Sequence, residues 1–96
     1  MNTQPFPPGT GERAVTVTRV ADHQWHALED DLVVGRGHAQ RRADGRLFVS
    51  IDAWHDSDFD RLVAALLADL PTPLHTVVDE ADTALIAAWR RAGFTV

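Results

Sequence analysis

Apolar side chains recur along this chain with a period of two in the first half and of three to four in the second half. β-Branched residues alternate from Ala14 to Val20, as in a strand with one buried face. The segments from Gln24 to Glu29 and from Leu32 to Arg41 predict two more strands, joined by an acidic turn. The run from Arg46 to Trp54 is strongly apolar and predicts a central strand that is buried on both faces. We therefore expect four consecutive antiparallel strands.

The positions of glycine predict two further details of these four strands. Gly35 and Gly37 lie inside the third predicted strand, where glycine indicates a bulge or a close approach of backbone. The tetrad from Arg42 to Gly45 ends in Asp-Gly, one of the strongest signals for a tight turn between strands.

The second half predicts a helix, a short strand and another helix. The first helix follows the capping residues Asp56 to Asp58. Its predicted inner face consists of Phe59, Leu62, Val63, Leu66, Leu67 and Leu70. Pro71 and Pro73 end this helix, and Leu74 to Val78 predicts a fifth strand.

The stretch from Val77 to Phe94 carries the most consistent local signals. Asp79 is predicted to cap the second helix, and Asp82 adds negative charge where the helix dipole favours it. Helical spacing is kept by Ala81, Leu85, Ala88, Trp89 and Ala92. Gly93 can adopt the left-handed conformation that ends a helix, and the residues from Phe94 to Val96 predict a last strand.

This order of elements predicts one α/β (mixed α+β) domain over residues 14–96. The fourth strand returns through a helix to the fifth, which implies a parallel pair with a right-handed crossover. The expected architecture is an antiparallel four-stranded meander followed by helix, strand and helix, in a mixed sheet covered by two helices. Residues 1–13 are rich in proline and glycine and predict a flexible tail, with a Pro-rich recognition peptide as the alternative.

The composition and charge of the chain argue against several classes of protein. The chain is 45% apolar and 24% charged, as in an ordinary soluble domain, and no apolar run approaches the ~20 residues of a membrane span. Without cysteine it has neither disulfides nor thiolate metal sites. The N-terminus lacks the basic segment and the apolar core of a secretory signal, so we expect a cytoplasmic protein. The formal charge of −5 argues against nucleic-acid binding.

Histidines are the remaining candidates for chemistry. His23 and His26 are three residues apart, so on a strand they would point to opposite faces, and we expect no metal site. His55 and Asp56 follow the central strand, at the end where α/β folds place ligands, and are candidate catalytic residues. Helix capping is the alternative role for this pair.

The order of elements and the last helix resemble the GNAT acetyltransferase superfamily. The segment from Asp82 to Phe94 is similar to the family pattern Asn-x-x-Ala-x-x-x-Tyr-x-x-x-Gly-Phe. Leu32 to Gly35 resembles the family's glycine-bearing third strand, and Leu47 to Ile51 resembles its fourth strand. The resemblance covers the chain from Val15 to Phe94.

This resemblance implies that acetyl-CoA is the cosubstrate and that its acetyl group is transferred to an amine. It also implies that acetyl-CoA lies where the fourth and fifth strands splay apart, and that the last helix contributes its motif positions to the site. The implied cofactor-binding residues are Ile51, Asp52, Ala53, Trp54, Asp82 and Trp89.

The chain departs from the family pattern at several places, and the helices that usually follow the family's first strand are missing. Asp82 stands where the family has asparagine. Between Asp52 and Asp60 it has four aspartates and neither glycine nor arginine, where the family wraps the CoA pyrophosphate. Trp89 stands at the family's tyrosine, and the final hairpin is reduced to Phe94 to Val96. These departures favour the alternative of a non-catalytic interaction or structural module, or of the N-terminal half of a tandem acetyltransferase. A homodimer partner or a missing C-terminal domain would then cover the exposed edge of the fifth strand.

Overall fold

A computed structural model describes residues 14–95 of the chain. The elements, in chain order, are β1 (Val15–Ala21), β2 (Gln24–Glu29), β3 (Leu32–Arg41), β4 (Leu47–Ala53), α1 (Asp56–Asp69), β5 (Leu74–His75) and α2 (Thr83–Arg91). The predicted tail over residues 1–13 and the terminal Val96 lie outside the described residues.

The five strands form one mixed sheet in sequential order. β1 to β4 pair antiparallel, and β4 pairs with β5 in parallel after the α1 crossover. Asp30 and Asp31 both have positive φ, 50° and 66°, as a two-residue turn between β2 and β3 requires. The predicted fold class, the antiparallel meander and the parallel fifth strand are confirmed.

One face of the sheet packs against α1, which contacts β1 to β4. β3 presents its small residues to the helix, so the helix can lie close to the sheet. A Cβ atom added at Gly35 would lie 3.0 Å from Leu62 Cδ1 and 3.2 Å from Ala53 Cβ. The predicted close approach is therefore confirmed, and a bulge lies beside it, where the β2–β3 register shifts between Ala27 and Leu28.

Trp25 lies at the centre of this interface and is fully buried. Its Nε1 donates to Asp69 Oδ2 over 2.8 Å, at the last residue of α1. Nearer the start of α1, Arg61 Nη1 donates to the carbonyl oxygen of Val15 over 3.2 Å. These polar contacts hold α1 to β2 and β1, while its apolar side chains fill the core.

The opposite face of the sheet is exposed, which corrects the prediction that β4 is buried on both faces. α2 packs beside α1, with the rings of Phe59 and Trp89 5.0 Å apart, so both described helices lie on the same side. We call the uncovered side the open face. Its exposed or half-buried side chains include Thr16, Thr18, His26, Arg36, His38, Gln40, Phe48, Ser50 and Asp52.

Two strand ends differ from their predictions. β5 contains Leu74 and His75 alone, because the chain turns away from β4 after Thr76. Phe94 and Thr95 form no strand, since their backbone completes the end of α2 instead.

The beginning and the inner face of α1 also differ in detail. His55, rather than a residue from Asp56 to Asp58, occupies the N-cap position, and its side chain makes no capping hydrogen bond. Leu67 is 39% exposed, so it lies at the rim of the predicted apolar face. The other five predicted positions are buried.

The two glycines of β3 provide a matched test of the close approach. Gly35→Ala should lower the free energy of unfolding by about 1–3 kcal/mol, because its methyl group would press on Leu62 and Ala53. Gly37→Ala is the control, because its nearest neighbour would be 3.6 Å away, and we expect a change within about 1 kcal/mol. Urea unfolding measures both, and equal effects would contradict the proposed contact.

Candidate functional site

β4 and β5 pair at their N-terminal ends and then diverge. The register joins Leu47 to Leu74 and Phe48 to His75, and one step further Thr76 Oγ1 donates to the carbonyl oxygen of Val49 over 2.8 Å. The next residue, Val77, is 71% exposed. Over the described residues, the second half of β4 therefore borders an open space, which we call the β4–β5 cleft.

The direction of the peptide groups along β4 shows which ones face this cleft. Ala39 donates its N–H to a carbonyl in the β1–β2 turn, away from β4. Its register partner Val49 correspondingly directs its carbonyl oxygen to Thr76. Because successive residues of a strand direct their peptide groups to alternating edges, Ile51 and Ala53 direct theirs into the cleft.

Four consecutive residues predicted to bind a cofactor, three in β4 and Trp54 just beyond it, follow one another at this cleft. Ile51 and Ala53 are half-buried and pack against the core on the α1 side. Asp52 is exposed on the open face, opposite Arg36 of β3. Trp54 is 93% exposed at the end of the strand. The groups that face the cleft are therefore the peptide groups of Ile51 and Ala53, rather than side chains.

The predicted catalytic pair lies at the start of α1, just beyond the end of β4. The carbonyl oxygen of His55 accepts the N–H groups of Asp58 and Phe59, both over 3.0 Å. The His55 side chain is exposed, and so is that of Asp56. The imidazole is therefore exposed two residues beyond the end of β4 and is not used as a helix cap.

The four aspartates from Asp52 to Asp60 do not form one exposed cluster. Asp52 lies on the open face, and Asp58 is fully buried. Asp60 accepts hydrogen bonds from Arg91 of α2, with Nη2 to Oδ1 at 2.9 Å and Nε to Oδ1 at 3.2 Å. Asp56 lies 4.0 Å from the same guanidinium. The charge that remains exposed near the helix start is thus smaller than the sequence indicated.

Arg91 is the cation that offsets this acidic segment. The hydrogen bond to Asp60, together with the negative charges of Asp60 and Asp56, raises the pKa of Arg91 above its usual value. The guanidinium therefore remains charged throughout the working pH range.

Asp82, not Asp79, caps α2, which corrects that prediction. The Asp82 Oδ1 accepts the N–H of Leu85 over 3.1 Å. Asp79 instead accepts the N–H of Ala81 over 2.9 Å, in the turn that precedes the helix. Ala81 accordingly lies outside the helix and is exposed.

The C-terminus of α2 closes with a Schellman motif. Gly93 has a φ of 99° and donates its N–H to Arg90 O, and Phe94 donates to Trp89 O. The Trp89 ring packs 4.6 Å from Phe94 and 5.0 Å from Phe59 and is 4% exposed. Asp82 and Trp89 thus have structural roles in this chain, and their contact with a cofactor stays a prediction.

A groove of ≈550 Å³ runs between the outer edge of β5 and α2. Its walls are mainly apolar, with charged side chains at the rim. The lining includes Phe48, Leu74, Val78, Ile86, Trp89, Phe94, Arg46, Arg90, His75 and Glu80. This groove was not predicted from the sequence. The available signal was two apolar residues outside the predicted inner face of the last helix, Ile86 within that helix and Val78 before it.

The histidines are dispersed in the fold. His26 lies in β2 on the open face, whereas His23 lies in the β1–β2 turn rather than in a strand. Residues 14–95 contain no group of three or more His, Asp or Glu side chains placed to hold a metal ion. Neither described helix has the length and apolar character needed to cross a membrane.

Comparisons of the chain with family models, with curated proteins and with solved structures give no match.

The cap of α2 can be tested separately from any ligand. Asp82→Ala should lower the free energy of unfolding by about 1 kcal/mol, because the N–H of Leu85 loses its acceptor. Asp82→Asn keeps an acceptor and removes only the charge, so we expect it to stay within a few tenths of a kcal/mol of the wild type. Thermal unfolding compares the two, and an unchanged Asp82→Ala variant would contradict the capping role.

Proposed function

We propose that this chain is a GNAT-like domain that binds the pantetheine arm of acetyl-CoA along β4, and that its complete protein transfers the acetyl group to an amine. The divergence of β4 and β5 carries the proposal. It leaves the peptide groups of Ile51 and Ala53 facing an open cleft, where an extended amide-containing chain can pair with them as a strand would.

In this proposal the amine nitrogen attacks the thioester carbonyl, a C–N bond forms, and the C–S bond breaks to release the CoA thiolate. His55 is the candidate base, because its exposed imidazole follows β4 by two residues, at the start of α1. Asp56 is the neighbouring carboxylate. Trp89 is buried, and its indole cannot donate a proton to the thiolate near neutral pH, so the thiolate takes its proton from solvent.

Charge at the start of α1 determines which part of acetyl-CoA contributes to affinity. The N-terminus of a helix attracts a pyrophosphate, but here it carries the exposed carboxylate of Asp56. Arg91 offsets this charge only in part, because its hydrogen bonds go to Asp60 and Asp56 lies 4.0 Å away. A repulsion of about 1 kcal/mol per close pair of charges offsets that attraction. The pantetheine arm is therefore the part expected to bind. We keep the cytoplasm, expected from the sequence, as the proposed location.

An NMR titration tests this proposal with two ligands. Acetyl-pantetheine and acetyl-CoA should both shift the amide signals of Ile51 and Ala53, with similar affinities. Asp56→Asn should tighten acetyl-CoA binding by about threefold to fivefold by removing one repulsive charge and should leave acetyl-pantetheine unchanged.

Asp22→Asn is the matched control, because it removes an equally exposed carboxylate in the β1–β2 turn. We expect it to affect neither ligand. The absence of saturable binding of both ligands at millimolar concentration would remove the acetyltransferase proposal for this chain.

A second candidate function is that of a non-catalytic interaction module, and the groove beside β5 favours it. A strand added to the outer edge of β5 would direct alternate side chains toward Phe48 on one side and toward Trp89 and Phe94 on the other. A second copy of this chain or a C-terminal domain of the same protein would supply that strand.

Analytical ultracentrifugation tests the homodimer form of this module. We expect a concentration-dependent dimer that Ile86→Glu weakens, because the new carboxylate would face the apolar wall of the groove. Ala84→Glu, on an exposed position of the same helix, is the control. A monodisperse monomer at all concentrations would exclude the homodimer.

A further inference from the structure

The open face of the sheet carries more hydrogen-bond donors than its acidic composition suggests. Along β3 the residues Arg36, His38 and Gln40 alternate with the small residues that face α1, so all three point to the open face. Arg42 follows them on the same side, since its guanidinium lies over the Phe48 ring. The chain as a whole has a formal charge of −5, so this concentration of donors is a local feature.

Three of these side chains, together with Ser50 of β4, surround one depression of ≈160 Å³ on the open face. Its lining is His38, Gln40, Arg42, Phe48, Val49, Ser50 and Val77. Each polar side chain in that lining can donate a hydrogen bond, and none is a carboxylate. The carbonyl oxygen of Val49 accepts the hydroxyl of Thr76 and is therefore directed toward β5, in the plane of the sheet, rather than toward the open face.

The strand register brings the donors of the depression together from two strands. His38 and Ser50 are directly opposite each other in β3 and β4. The peptide groups of Val49 face β5, so His38 and Ser50 form a hydrogen-bonded pair, whose Cα atoms are about 5.5 Å apart. Gln40 is the next residue of β3 on the same face, opposite Phe48. The three donors therefore lie within one small area.

Arg42 completes the arrangement from above the sheet. Its guanidinium carbon lies 3.7 Å from the centre of the Phe48 ring, so the ring fixes its position through a cation–π contact. Among residues 14–95 no carboxylate forms an ion pair with it. Asp44, in the same turn as Arg42, lies 3.6 Å from Arg46 instead. Asp52, on the open face of β4, is opposite Arg36.

We propose that this depression binds the phosphate group of a small phosphorylated ligand. A phosphate monoester offers three oxygens that accept hydrogen bonds, and a guanidinium can contact two of them at once. The side chains of His38, Gln40 and Ser50 can then donate hydrogen bonds to the third oxygen and to the remaining lone pairs of the other two. A planar carboxylate would leave part of this donor set unused. The site goes beyond the proposed acetyl-CoA function, since it uses none of the residues assigned to pantetheine.

An NMR titration with inorganic phosphate and with glycerol 3-phosphate tests the proposal on the full chain. We expect saturable shifts of the Arg42, His38 and Ser50 signals by both probes, at least as tight for the ester. Arg42→Gln should weaken binding by about tenfold, as expected for the loss of a charge-assisted contact. Ser50→Ala should weaken it by about threefold, without a change in the remaining spectrum.

Arg46→Gln is the matched control, because Arg46 is a neighbouring exposed cation that lies 3.6 Å from Asp44 and does not line the depression. It should leave binding unchanged. Saturable binding of inorganic phosphate without the ester would overturn the assignment to a phosphorylated ligand. Shifts that Arg42→Gln and Arg46→Gln reduce equally would overturn the site itself, because they would indicate diffuse charge attraction. We take a Kd of roughly 20 mM as the weakest that a specific site of this size would show. If neither probe saturates the protein by that concentration, the proposed site is also overturned.

Discussion

The close approach of α1 to β3 determines where the other elements of this chain lie. It depends on the absence of a side chain at Gly35, where Leu62 fills the space, and on Trp25, which is buried beneath the helix and bonded to Asp69. Since α1 is the crossover between β4 and β5, its position also fixes β5 as a parallel neighbour of β4. α2 then packs against α1 through Phe59 and Trp89. One apolar layer thus organises both helices on one side of the sheet.

The features that could carry function follow from this one-sided packing. With both described helices on the same side, the open face retains polar side chains from four strands, and the depression around Arg42 is part of it. β5 is too short to cover β4, so the cleft opens where Thr76 makes the last bond to Val49. The groove beside β5 is lined by residues of both β5 and α2, so it depends on where α2 packs. The fold therefore offers three adjoining surfaces with different chemistry, and Phe48 borders both the groove and the depression.

Much of the fold could be predicted from the sequence because its local signals agree with its tertiary packing. The bounds of β2 and β3, the apolar face of α1 and the role of Gly93 all rest on periodicity or on turn chemistry. Side-chain capping was less predictable, since Asp79 and Asp82 are both competent acceptors and only the path of the chain selects Asp82. Burial of the second face of β4 was predicted from an apolar run, but the polar residues Ser50 and Asp52 alternate within that run, and neither described helix covers them. The donors around Arg42 come from two strands and a turn, so no linear pattern indicated them.

Within residues 14–95 β4 has an unpaired edge beyond Val49, and the proposed ligand would pair with this edge as an added strand does. Amide hydrogen exchange of the unliganded protein, followed by NMR, tests it most directly because exchange reports each peptide group separately. Protection should alternate, with the amides of Ser50 and Asp52 protected by β3 and those of Ile51 and Ala53 exchanging fast. Equal protection of all four amides would show that the edge is already paired, and would contradict the account.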